Sequence, residues 1–126
     1  ETHPCIRRVG PQSDVPAYYA AMDLFVLPSY REGFGIVNLE ASAMKLPVIS
    51  TDVNGPRESI VPGETGLLVP VRQIDPLCEA MKKLASDPAL RKKMGEAGRQ
   101  RAVESFDSKK MWRLWDEHRM KLCNKQ

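Results

Sequence analysis

At 126 residues with 42% hydrophobic side chains, the chain is long enough and apolar enough for one packed domain, which excludes a disordered tail. Charged residues make up 28%, no apolar run approaches the roughly 20 residues of a membrane span, and the opening ETHPCIRRVG lacks the features of a secretory signal, so a cytoplasmic setting is expected. The net charge of +3 is too mild for a dedicated nucleic-acid binder, yet it is uneven: residues 1–70 hold five basic and eight acidic side chains, residues 71–126 fourteen and eight.

Short elements are expected first and long helices last, because all ten prolines lie at or before Pro88 and six of the eight glycines at or before Gly66. Apolar clusters at Cys5–Val9, Leu24–Leu27, Val48–Ser50 and Gly66–Val69 have the length of buried strands. Between them, Asp14 caps a helix over Val15–Ala21, a second helix runs from about Gly35 to Met44, and Pro56–Val61 forms one or two turns. That alternation predicts a parallel sheet with crossovers. Asp75 and Pro76 read as the N-cap and first residue of a helix with Leu77, Ala80, Met81, Leu84 and Ala85 on one stripe. Asp87 and Pro88 repeat the signal for a helix to about Glu104, its interior weakened by Gly95 and Gly98. A last helix over Ser108–Leu122 aligns Met111, Leu114, Trp115, His118 and Leu122. The fold class is therefore α/β, a Rossmann-like parallel sheet with a helical C-terminal extension: one domain over 1–126, with an α/β core in 1–70 and the extension in 71–126. The three cysteines, Cys5, Cys78 and Cys123, lack metal or disulfide spacing and are expected reduced and mostly packed.

The chemistry concentrates in Pro28-Ser-Tyr-Arg-Glu-Gly-Phe-Gly-Ile-Val-Asn-Leu-Glu40, where the second expected strand ends and a helix begins. Open α/β sheets bind ligands at the carboxyl ends of their strands. Gly33 and Gly35 bare the backbone, so the N–H groups of residues 33–37 can approach a ligand, and the free donors of the new helix favour a phosphate. Glu32 and Glu40 bracket the turn with seven residues between them. Carboxylates repel a phosphate unless they accept hydrogen bonds from hydroxyls on either side of it, and a sugar nucleotide has that layout: hexose, diphosphate, ribose diol. A pair of solvated surface carboxylates is the alternative. No acidic triplet or Asp-x-Asp occurs, so no metal is expected, and His3 and His118 lack the partners of a hydrolase triad.

The run LPSYREGFGIVNLEASAMKLPVISTDVNGPRESIVPGETGLLVP resembles the donor-binding motif of the retaining glycosyltransferases of family four, the glycosyl transferases group 1, and the likeness extends over about residues 6–107. The resemblance implies the C-terminal, nucleotide-sugar-binding lobe of a two-domain GT-B enzyme. It implies that Glu32 meets the donor sugar as the catalytic-site carboxylate, that Gly33, Phe34, Gly35, Ile36 and Val37 bind sugar and diphosphate through their backbone, and that Glu40 holds the ribose. It implies no cofactor beyond the nucleotide-diphosphate sugar as co-substrate, and a glycan or lipid-linked acceptor, with peripheral membrane contact as a further partner and nucleic acid as none. An N-terminal acceptor domain and the upstream half of this lobe, with the Arg and Lys that neutralise the diphosphate, are expected to lie before Glu1. The fragment alone is then expected to bind donor weakly and transfer nothing. Lys45 and Asn54 depart from the family, which favours glycine at both. Two rival readings stay open: a nucleotide-sugar epimerase of the same architecture, and a non-catalytic module whose basic C-terminal helices hold an acidic membrane or nucleic acid.

Overall fold

The computed structural model describes residues 3–110 and 113. Eight elements follow in order: α1 (Val15–Ala20), β1 (Phe25–Leu27), α2 (Ile36–Ala43), β2 (Val48–Thr51), α3 (Asn54–Ser59), β3 (Gly66–Val69), α4 (Ile74–Ser86) and α5 (Pro88–Phe106). The strands form a three-stranded parallel sheet in the order β1-β2-β3, with Phe25 opposite Val48 and Val48 opposite Gly66. Parallel strands need crossovers, and α2 and α3 supply them.

Alternation along β2 divides the core between the two faces of the sheet. Val48 packs with Tyr19, Ala41, Leu46 and Ile60, supported by Phe25 and Leu68. Ile49 packs with Val69, Ala80, Leu84 and Met94, supported by Val26 and Leu67. Both faces of the sheet are therefore covered, which is why its strands read as continuous apolar runs rather than as alternating ones.

The charge excess of the C-terminal half has a structural use. Arg91 donates to the carbonyls of Leu84 and Ala85 at 2.7 and 2.9 Å, Arg99 donates to the carbonyl of Ala43, and Arg101 to that of Glu58 at 2.8 Å. These carbonyls belong to the last turns of α4, α2 and α3, where no intrahelical donor is available. Three arginines of one helix thus close the ends of three others, each placed favourably for the helix dipole. Gly95 and Gly98, expected to weaken α5, are what let it approach: a Cβ at 95 would collide with the Lys45 carbonyl, and one at 98 would lie 3.3 Å from the Ser42 Cβ.

Several expectations need correcting. No strand forms over Cys5–Val9; two arginines interrupt its apolar run, and Ile6 and Val9 stay 60% and 47% exposed. Cys5 and Cys78 are exposed rather than packed, because Cys5 lies in that segment and Cys78 on the outer face of α4. Asp75 is not the N-cap of α4; the helix starts at Ile74 after Gln73, and Asp75 sits in its first turn. Asp14 and Asp87 do cap, accepting from the N–H groups of Ala17 and Leu90 at 3.4 and 2.9 Å. Asp107 accepts from the N–H groups of Lys109 and Lys110 at 2.7 and 3.1 Å, and residues 108–110 are helical. The remainder of the expected last helix, with the stripe from Met111 to Leu122, His118 and Cys123, lies outside the described residues.

Candidate donor site

Residues 28–35 leave the carboxyl end of β1 and turn into α2. Thr51, at the end of β2, fixes the start of this loop by donating its hydroxyl to the Ser29 carbonyl. Gly35 is the N-cap of α2 with φ +73, and no side chain caps the helix. The first-turn N–H groups of a helix have no partner within it, so α2 presents open donors toward the loop. Glycine is required at 35 twice over: by its left-handed φ and by Asn38, whose Nδ2 would lie 2.8 Å from a Cβ there. Asn38 itself is fully buried, with neither amide atom hydrogen-bonded.

The turn is held from two sides. Gly55 in α3 fits directly beneath it, since a Cβ at 55 would strike the Gly33 carbonyl and come within 2.8 Å of the Phe34 Cα. The Phe34 ring meets Phe106, at the end of α5, with centroids 5.6 Å apart. The Arg101 guanidinium in turn lies 5.4 Å from the Phe106 ring centroid. The glycine-rich loop is therefore packed through the side chain of Phe34 and the bare backbone of Gly55, leaving the edges of the loop to solvent.

The two carboxylates differ in their surroundings. Glu32 folds back on its own loop, its Oε1 accepting from the Gly33 N–H at 3.2 Å, so one of the expected donor amides is taken. Glu40 is exposed, and its Oε2 accepts from the Tyr19 hydroxyl at 3.0 Å. Tyr19 is 5% exposed, and its phenol is pushed up to about 12, first by burial, then by the hydrogen bond and charge of Glu40. The sequence reading missed this residue. Its signal is faint: one of two adjacent tyrosines on a six-residue helix, 21 positions upstream of Glu40.

Arg57, near the loop, pairs with Asp52 through two hydrogen bonds of 2.6 and 3.1 Å. The guanidinium holds the Asp52 carboxyl below its ordinary value, while both side chains remain largely exposed. The charge of Arg57 is thus engaged by its neighbour. His3 is exposed, accepting at Nδ1 from the Cys5 N–H at 3.3 Å. Among the described residues no three His, Cys, Asp or Glu side chains cluster in a way that could hold a metal ion.

A family model described as "Glycosyl transferases group 1" matches residues 5–101. The chain belongs to the glycosyl transferases group 1. It is 41% identical over 100 residues to the capsular polysaccharide biosynthesis glycosyltransferase CapM of Staphylococcus aureus, covering 79% of this chain and 26% of CapM. The crystal structure of the C-terminal domain of LpcC, a glycosyl transferase group 1 family protein of Francisella tularensis, superposes with a TM-score of 0.69 at 34% identity, covering 80% of this chain and 51% of that one. The fold also matches Anabaena Alr3699/HepE in complex with UDP-glucose, with a TM-score of 0.83 at 23% identity over 87% of this chain and 30% of that one. The domain is thus a glycosyltransferase domain of the GT-B C-terminal type, spanning about a quarter of the length of CapM.

Proposed function

We propose that this domain is the donor-binding lobe of a retaining glycosyltransferase that builds a glycan, and that its site is the turn between β1 and α2. The observation that carries the reading is the uncapped N-terminus of α2 behind a left-handed Gly35, with Glu32 before it and Glu40 behind it. In this reading the N–H groups of Gly33, Phe34, Gly35, Ile36 and Val37 take the diphosphate, Glu40 the ribose diol and Glu32 the hexose. The Gly33 amide becomes available when Glu32 turns outward to the sugar. Retention of UDP-glucose by HepE, on the same fold, supports a nucleotide-diphosphate sugar as the ligand.

Charge builds on the nucleoside diphosphate as it leaves, and fixed backbone donors stabilise that charge in place. A helix terminus contributes only about 0.3–1 kcal/mol toward an anion at an exposed site. Cationic groups besides these amides are therefore needed to neutralise the diphosphate, and in this reading the chain alone binds donor without transferring sugar. The arginines that close α2, α3 and α4 account for part of the basic excess, which leaves less of it for a polyanion surface. Among the described residues no helix is long and apolar enough to cross a membrane. The unpaired Cys5 and Cys78 fit a reducing compartment, in keeping with cytoplasmic work, and a lipid-linked acceptor would bring the enzyme to the membrane face.

Calorimetric titration with UDP and with UDP-glucose, on Glu40→Ala and Glu32→Ala, tests the reading. Hydrogen bonds to a charged group contribute about 1.5–3 kcal/mol, so Glu40→Ala weakens both ligands by roughly 10- to 150-fold. Glu32→Ala weakens UDP-glucose alone. Unchanged affinities in Glu40→Ala contradict the assignment.

A further inference from the structure

Tyr30 lines two depressions at the carboxyl ends of the strands. One, of about 330 Å³, contains Glu32, Asp52, Asn54 and Arg57. The other, of about 350 Å³, runs between Pro28, Thr51, Pro70, Arg72, Ile74 and Leu77. Tyr30 is 67% exposed and Ile74 82%, which leaves an aromatic face and an aliphatic side chain open to solvent. The Arg72 guanidinium lies 5.4 Å from the Tyr30 ring centroid.

Arg72 also has φ +62, a left-handed conformation that an L side chain rarely adopts. The other such residue, Lys45, follows the last turn of α2, where left-handed residues routinely end helices. Arg72 ends no helix; it lies between β3 and α4, and its backbone delivers the guanidinium to the tyrosine. Strain of this kind collects where a side chain must be aimed.

A pyranose ring has an apolar face of C–H groups and a rim of hydroxyls. An exposed tyrosine ring meets the first, and guanidinium and amide donors from Arg72 and Gln73 meet the second. Glu32 stands two residues from Tyr30 and lines the first depression, so a sugar in the second groove is a neighbour of a sugar at Glu32. We propose that the Tyr30–Arg72 groove is a carbohydrate subsite holding a pyranose ring of the acceptor glycan beside the donor sugar. The acceptor assignment rests on the reading that Glu32 meets that donor.

Saturation-transfer NMR on the chain with maltotriose, cellotriose and chitotriose tests the proposal, with UDP titrated in parallel. The subsite predicts transfer to the ring C–H protons of at least one trisaccharide. The signal falls at least fivefold in Tyr30→Ala, survives in Tyr30→Phe, and falls at least threefold in Arg72→Gly, whose glycine accepts the positive φ. The UDP response of amides 33–37 stays unchanged in Tyr30→Ala, which shows that the variant is folded. Transfer that persists in Tyr30→Ala, or none from any trisaccharide to the wild type, overturns the proposal. The two readings fail separately: a lost UDP response removes the donor assignment, whereas a lost trisaccharide response removes the subsite.

Discussion

The Tyr19 hydroxyl donates to Glu40 Oε2 at 3.0 Å, tying α1 to the carboxylate that would hold the ribose. One oxygen of Glu40 is thereby oriented by a buried phenol, and the other is left for the ligand. Tyr19→Phe removes the hydroxyl and keeps the packing of the ring on Phe25, whose centroid is 5.6 Å away. UDP affinity then falls about 3- to 10-fold, less than in Glu40→Ala, as calorimetry will show.

The same bond gives a pH signature. Burial, then the hydrogen bond and charge of Glu40, push the Tyr19 phenol up from its ordinary 10.0 to about 12. A raised acid favours the protonated form in the native state, so its contribution to stability is complete below pH 10 and is lost as pH climbs from 10 toward 12. Urea midpoints measured across that window fall more steeply for the wild type than for Tyr19→Phe.

Lys45 occupies a left-handed position, φ +62. The Cβ penalty there is about 1–2 kcal/mol, partly offset by the flexibility glycine adds to the unfolded chain. Lys45→Gly should stabilise the domain by about 0.5–1 kcal/mol in urea denaturation. Gly95→Ala should act oppositely, losing about 1–3 kcal/mol as its methyl is forced onto the Lys45 carbonyl.

Phe106 supports the glycine-rich loop through Phe34. Phe106→Ala therefore costs stability, by up to about 3 kcal/mol at this half-buried site, and speeds amide exchange at 33–37 beyond the exchange in β2. Equal acceleration in both places would mean that the ring supports the whole domain and not the loop in particular.

Much of this was legible in the residues. β1, β2 and β3 announce themselves because both faces of a parallel sheet are buried, and Val48-Ile49-Ser50 contains nothing that belongs anywhere else. Gly33 and Gly35 mark a tight turn at a strand end, and Glu32 and Glu40 stand out by their spacing about it. What stayed hidden depends on contacts between distant parts of the chain. Cys5–Val9 has the length of a strand, but only packing decides whether Ile6 and Val9 find a surface. The arginines of α5 read as solvent charge until Ala43, Glu58 and Leu84 are seen to offer their carbonyls. Tyr19 is separated from Glu40 by a strand and a turn, so no local pattern joins them.

The central claim is that the amides of the β1–α2 turn receive the diphosphate. Titrating the isotope-labelled chain with UDP-glucose and GDP-mannose, and following each backbone amide by NMR, tests it most directly. The account predicts saturable shifts concentrated at residues 33–37 and at Glu40, lost in Glu40→Ala. Shifts gathered instead on the basic outer faces of α4 and α5, or silence at the turn with millimolar donor, would contradict it.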